Sequence, residues 1–331
     1  MTAVRGPYFD ELQVGMAFTA APAVTLTEGM QAVHGSIVGN RVRLALDAAL
    51  AERVTGRGPL PSPALVWDVS IGQSTSVTQH VKANMFYRGL CFRRLPSIGD
   101  TLRTTTVVEA LKQNSRRPGR PATGLAALRI VSVDQEDQPV LDYWRCAMLP
   151  LSSDDVDTGA SDDVSSVGRD ASLEELSACA AEWDLDQFRE DVPGPHFAEL
   201  QIGQVWEVEG ADVVSSAPEL ARLTGNVAKV HHDAAAAGGQ RLVYGGHSIG
   251  LALHQVTRAL PNLVTVSGWH RCDHVGPVHE GDALTSTVTV ENLHPRAGGG
   301  GLADLHVEVA GENRDAGPER VLDWRLTAVL A

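Results

Sequence analysis

The sequence predicts an α+β protein in which one unit, a helix covered by an antiparallel sheet, occurs twice in tandem. Three observations predict this. The chain repeats itself: Pro7-Tyr-Phe-Asp-Glu-Leu-Gln-Val-Gly15 returns as Pro195-His-Phe-Ala-Glu-Leu-Gln-Ile-Gly203, and Gly39-Asn40 returns as Gly225-Asn226. Gly99-Asp100 returns as Gly281-Asp282, and Val140-Leu-Asp-Tyr-Trp-Arg145 as Val321-Leu-Asp-Trp-Arg325. A period this long marks a duplicated domain, not a solenoid. After each Gly-Asp pair, polar and apolar side chains alternate, over 101–109 and 283–291. That is the pattern of antiparallel strands with one wet face. Finally, alanine- and glycine-rich stretches such as Gly246-His-Ser-Ile-Gly-Leu-Ala-Leu-His254 read as helix. Strands must wrap such a helix to bury its apolar surface.

In chain order, each half opens with a strand after a glycine turn (Gly15, Gly203), followed by a short helical stretch and then the main helix. The Gly-Asp pairs are turn residues before strands, to which no chemistry is assigned. Ser115-Arg-Arg-Pro-Gly-Arg-Pro121 and Pro295-Arg-Ala-Gly-Gly-Gly-Gly301 are turns between long strands. Residues 1–151 and 194–331 form the two units. The segment 152–193 begins with Ser, Asp, Thr and Gly and is expected to be an exposed, mobile linker. From Ser172 its character changes. Ser172-Leu-Glu-Glu175 has the form of a capping box, and Leu176, Ala180 and Trp183 are expected on one face of a short helix.

A length of 331 residues suits two domains, and a hydrophobic content of 43% is enough for real cores. The net charge of −14 argues against nucleic acid as the main partner, because phosphate binding needs a positive field. An anionic small ligand remains compatible with a local basic rim. Cys91, Cys146, Cys179 and Cys272 form no CxxC pair, which fits reduced thiols rather than a zinc ribbon or a disulfide framework. The first residues carry no apolar signal core, and no apolar run reaches the roughly 18 residues of a membrane span. A cytoplasmic location is therefore expected.

The most informative segment is Leu223-Thr-Gly-Asn226-Val-Ala-Lys-Val-His231-His-Asp233. It resembles the hydratase-2 motif of the MaoC-like, (R)-specific enoyl-CoA hydratase family, Gly-Asp-x-Asn-Pro-aliphatic-His. Gly225, Val230 and His231 match, whereas Asn226 replaces the acid, Ala228 the second Asn and Lys229 the Pro. Together with Arg241-Leu-Val-Tyr-Gly-Gly-His247 and Trp269-His-Arg-Cys-Asp-His-Val-Gly-Pro-Val-His-Glu-Gly-Asp282, it is similar to the mesaconyl-CoA hydratase (β-methylmalyl-CoA dehydratase) branch, which also carries Asn at the acid position. The resemblance implies a double hotdog fold and an acyl-CoA substrate whose pantetheine arm enters between the halves; no cofactor beyond the CoA thioester and no metal is expected. It leaves a homodimer open.

Hydration of a 2-enoyl thioester needs a base for water, an acid that protonates C2, and donors for the enolate-like oxygen. His231 titrates near neutrality and can act as base and then acid. Asn226 has no useful basicity but can hold the water. Asp233 is the nearest carboxylate candidate. Gly245 and Gly246, opening a helix, can turn N–H groups toward an oxyanion, and Tyr244 and His247 are candidate pocket residues. In the N-terminal copy Asn40 and Asp47 stand where Asn226 and Asp233 do, but the histidine position is Ala45. One active site per chain is expected, in the C-terminal half. Lys82, Lys229 and Arg271 are weak candidates for the phosphates of CoA.

Three rival functions fit parts of the sequence. An acyl-CoA thioesterase would need an activating carboxylate at the helix start. An inactive acyl-CoA-binding protein would account for Asn226. A metallohydrolase could use His231, His232 and Asp233 with His270, His274 and His279.

Overall fold

A computed structural model describes residues 4–296, 299–313 and 316–331. Ala297 and Gly298, part of the second glycine turn, and Met1 to Ala3 lie outside the described residues, as do Arg314 and Asp315. No described helix is long and apolar enough to cross a membrane.

The N-terminal half runs through two short strands, β1 (Ala17–Phe18) and β2 (Val24–Thr25), then helices α1 (Glu28–Val38), α2 (Arg43–Leu46), α3 (Ala48–Thr55) and α4 (Pro63–Gln73). Four longer strands follow: β3 (Ala83–Phe92), β4 (Thr101–Gln113), β5 (Thr123–Val133) and β6 (Pro139–Pro150). After helices α5 (Leu173–Ala178) and α6 (Leu185–Asp191), the plan repeats. It comprises β7 (Val205–Glu207), β8 (Asp212–Val213), α7 (Ala217–Leu223), α8 (Gly245–Ala259), β9 (Leu263–His274), β10 (Ala283–Pro295), β11 (Gly301–Asn313) and β12 (Ala316–Leu330).

Each half wraps its strands around one helix. Every residue of α4 is buried, as expected of a helix that is apolar all round. Ser62 caps it through the Ala64 N–H, and Pro63 occupies the first turn, where a missing N–H costs nothing. In β4 and β10 burial alternates residue by residue, which is the wet-face pattern read from the sequence.

The two sheets are one. The order β1-β4-β5-β6-β3-β9-β12-β11-β10-β7 passes through an antiparallel β3–β9 pair, with Tyr87 opposite Cys272 and Leu90 opposite Trp269. This seam removes an edge from each half. On the concave side α4 packs against α8. There Trp67 of α4 meets Trp269 and Trp324 edge-on, at centroid distances of 4.8 and 6.1 Å.

The connecting segment departs from expectation in two ways. Its side chains at 152–155 are exposed, but its backbone is tied to the edge of β4. Gln113 N–H donates to Ala160 O, and Asp162 N–H donates to Leu111 O. It thus completes an edge that β1 and β2 cover only in part. The capping box at Ser172 and Glu175 is present, yet α5 ends at Ala178. Asp184 then caps a separate helix, α6, through the Gln187 N–H. Leu176, Ala180 and Trp183 are all buried, but Leu176 comes from α5 and the other two from the turn that follows it. Leu176 packs where a Cβ at Gly268 of β9 would stand, so the segment clasps the seam. All four cysteines are free and buried.

Candidate functional site

The Gly225-Asn226 pair is first of all a helix stop. At the end of α7, Gly225 takes φ +70°, and its N–H bonds Arg222 O while the Asn226 N–H bonds Ala221 O. This is a Schellman closure, which needs a left-handed residue at the position of Gly225. Asn226 Oδ1 then accepts from Ala228 N–H at 3.0 Å. Because that partner is a donor, the oxygen faces it, and the NH2 group is the free end of the amide. The loop is fixed by the other half: Val227 N–H donates to Thr75 Oγ1 at 2.9 Å, and Lys229 N–H to Gln79 O at 3.0 Å.

These constraints place Asn226 and His231 on the wall of a cavity of about 650 Å³ between the halves. Tyr244, Gly245 and His274 line it from the C-terminal half, and Thr78, Tyr87 and Arg145 from the N-terminal half. His231 Nδ1 lies 2.8 Å from Leu242 O. A carbonyl only accepts, so Nδ1 carries the proton and Nε2 keeps its lone pair. Burial pushes the His231 pKa down to about 4, so the ring is neutral at pH 7. His231 thus holds the protonation state of a general base.

Tyr244 turns its hydroxyl away from the cavity, donating to Asp68 Oδ1 at 3.2 Å. Asp68 is fully buried in α4 and also meets His34 Nε2 at 2.9 Å. Burial raises the Asp68 pKa, while the bonds from His34 and Tyr244 oppose that rise. This network joins α4 to the start of α8. It also accounts for Gly246, where a Cβ would overlap Asp68 Oδ1 and the Tyr244 ring. Gly245 lines the cavity, whereas Gly246 does not. Tyr244 supplies no side-chain cap to α8. The N–H groups of Gly245 and Gly246 find no acceptor among the described residues, so the first turn of the helix keeps free donors.

Two sequence candidates lie outside the cavity. Asp233 is exposed, and its carboxylate accepts from Ala235 N–H at 2.9 Å, a local turn. Its N-terminal counterpart Asp47 does the same for Leu50 N–H, and Asn40 bonds Val42 N–H as Asn226 bonds Ala228. The repeat therefore preserves turn-forming residues at both positions. Within this loop, the change from Ala45 to His231 is the one that puts a titratable side chain on the cavity wall. Asp233→Ala is accordingly expected to change turnover by no more than about threefold, the scale of an exposed substitution, as steady-state kinetics would check. His247 is fully buried on another face of α8, with both ring nitrogens unpartnered.

The sequence reading gave His274 only a metal-ligand role, but it lines the cavity with Nε2 unpartnered beside Gly245. A lone histidine at the end of a strand carries no signal in sequence. The six residues grouped as metal ligands do not converge. Among the described residues, the one set of three close enough to share an ion is His306, Glu308 and Asp323, and Arg320 and Arg325 already pair with Asp323.

Burial also holds His247 and His274 down to about 4. A histidine whose folded pKa lies below its unfolded value of about 6.5 disfavours folding once the unfolded chain can take the proton. Full stability is present above pH 6.5 and is lost as pH falls toward 4. Melting temperature is therefore expected to drop between pH 6.5 and 4, as calorimetry would show. An unchanged value over that range would contradict three buried neutral histidines.

No protein-family model matches the sequence. Over 98% of its length the chain superposes on a conserved hypothetical protein of Mycobacterium tuberculosis with a double hotdog fold, with TM-score 0.93, 52% identity and 99% of that chain covered. It also superposes on a MaoC domain protein from Chloroflexus aurantiacus, with TM-score 0.84, 23% identity and coverage of 98% and 97%. In sequence it is 27% identical over 292 residues to a β-methylmalyl-CoA dehydratase of Chloroflexus aurantiacus, 84% of this chain and 80% of that protein. The joined sheet and the paired central helices, together with the 52%-identical relative, identify the chain as a double hotdog protein, and its other likenesses are to a MaoC domain protein and a β-methylmalyl-CoA dehydratase.

Proposed function

We propose that the protein adds water to, or removes it from, a short or branched 2-enoyl-CoA/3-hydroxyacyl-CoA pair. The observation that carries this reading is His231, a neutral histidine with its Nε2 lone pair free on the wall of the cavity between the halves. In hydration, Nε2 takes a proton from water as the oxygen attacks C3. The resulting imidazolium then returns a proton to C2. Asn226 serves as a donor: its NH2 group orients the water, since Oδ1 is held by Ala228 N–H. The free N–H groups at the start of α8 stabilise the negative charge that gathers on the thioester oxygen. Asp233 has no part in this scheme. The family likeness to a CoA-ester dehydratase supports the same chemistry.

Hydration destroys a conjugated chromophore, so loss of ultraviolet absorbance from a panel of 2-enoyl-CoA thioesters tests the reading directly. Turnover of at least one thioester is expected. One observation favours a second reading: among the described residues, no carboxylate lines the cavity. A protein that binds acyl-CoA without turning it over would bind every member of the panel and bleach none.

A further inference from the structure

His274 closes β9 and lines the cavity, with its Nε2 sealed from solvent and unpartnered among the described residues. That nitrogen lies where a Cβ on Gly245 would stand. It therefore adjoins the first turn of α8, where the helix keeps free N–H donors. The ring also meets Tyr87 of the first half edge-on, at a centroid distance of 6.0 Å. A buried ring nitrogen without a partner costs free energy unless something comes to it. Burial keeps the ring neutral at pH 7. A neutral imidazole carries one N–H, and an acceptor placed beside Nε2 selects the tautomer with the hydrogen there.

The internal repeat gives this histidine a meaning it lacks alone. The copies superpose in register: Gln73 of α4 donates to Leu102 O and Gln255 of α8 to Leu284 O, at 2.9 and 2.8 Å. At the seam Tyr87 faces Cys272 and Leu90 faces Trp269, so each pair is the other with the copies exchanged. Counted back from the Gly-Asp pairs in that register, the first copy has Phe92 where the second has His274, and Pro63 where the second has Gly245. Phe92 is fully buried and packs near Trp67. Pro63 has no N–H. The copy without His231 thus also lacks the donor at the helix start and the ring nitrogen beside it. Three differences, in a loop, a helix start and a strand end, converge on one cavity in the second copy. Packing alone asks for no such convergence, because Phe92 shows that an apolar ring fills the same place in the fold.

Resting on the hydratase reading, we propose that His274 is a catalytic residue whose Nε2–H donates to the thioester oxygen, alongside the free N–H groups of α8. As water adds to C3, negative charge gathers on that oxygen. A donor fixed in place beforehand stabilises the charge without reorganising. His231 moves protons, whereas His274 keeps its own. The glycine at 245 follows from the same contact, since any Cβ there would strike the ring.

His274→Phe, which installs the residue of the first copy, tests this, and His274→Leu replaces it should the phenylalanine variant not fold. For the best thioester of the enoyl-CoA panel, kcat is expected to fall about 100-fold, the scale for loss of one oxyanion donor, with KM changed by less than about threefold. His274→Gln keeps an N–H near the place of Nε2 and should recover about tenfold of that loss. Infrared spectroscopy reads the same hydrogen bond without turnover. Butyryl-CoA, isotope-labelled at the thioester carbonyl carbon, cannot be hydrated. Its carbonyl stretch is expected at lower frequency when bound than in water, and to return part of the way in His274→Phe. A kcat unchanged by the substitution, a loss confined to KM, or a stretch that the substitution leaves unmoved would overturn the inference. A stretch that depends on His274 without turnover of any enoyl-CoA would sustain the donor and sink the hydratase. Turnover that His274→Phe leaves intact would do the reverse.

Discussion

Replacing His231 with alanine is expected to lower kcat for enoyl-CoA hydration by about 10³-fold, within the range for removal of a general acid–base group, while leaving thioester binding largely intact. The effect should be this large because no other group that the reactive loop brings to the cavity can take the proton. Asn226 cannot take a proton, no carboxylate among the described residues lines the cavity, and Asp233 is exposed and committed to a turn. His279 and His274 also line the cavity, and His274, which stands beside Gly245, is the first candidate to compensate. Residual activity in His231→Ala that disappears in the double variant with His274→Ala would identify it as the substitute. The pH profile gives a second, independent readout. The base must be unprotonated, and His231 is held down to about 4 by burial. Thus kcat/KM should stay flat from neutrality to about pH 5 and fall as pH nears 4. A break near pH 6.5, that of a solvated histidine, would mean that a different group is titrating.

Trp67→Ala is expected to cost about 4 kcal/mol, the range for emptying a large buried aromatic site, and to weaken both halves at once. Trp67 belongs to the helix of one half, but its ring packs on Trp269 and Trp324 from the other. All three side chains are fully buried. Because β3 and β9 also share hydrogen bonds, the halves should melt together. Denaturation followed by circular dichroism is expected to show one transition in the unsubstituted protein and one, at lower temperature, in Trp67→Ala. Two separated transitions in the unsubstituted protein would show that the seam does not couple the halves.

Much of this was legible in the residue order. Periodicity pointed to the strands, the repeat to two like halves, and the segment from Gly225 to His231 to a loop on the cavity wall. Local rules suffice where the relevant forces are local: alternation follows from the pleat, and caps follow from unsatisfied helix N–H groups. The capping box at Ser172 was readable for that reason, although the length of the helix after it was not. Asp184 starts a new helix, and burial of Trp183 depends on a sheet far away in sequence.

The site divides along the same line. Sequence alone determined that the chain is a duplicated α+β protein and that the second copy has a histidine where the first has Ala45. It could not decide which of several polar residues near His231 share its cavity. Asn226 does and Asp233 does not; Gly245 does, whereas Gly246 serves the contact between helices. Nor could it show that Arg145 lines the cavity while Arg325, which closes the matching segment, does not. Which face a strand residue occupies depends on counting from a shared anchor, and one extra residue before Arg145 reverses it. That step, together with the closing of the two sheets at β3 and β9, was decided only when long-range pairing fixed the register.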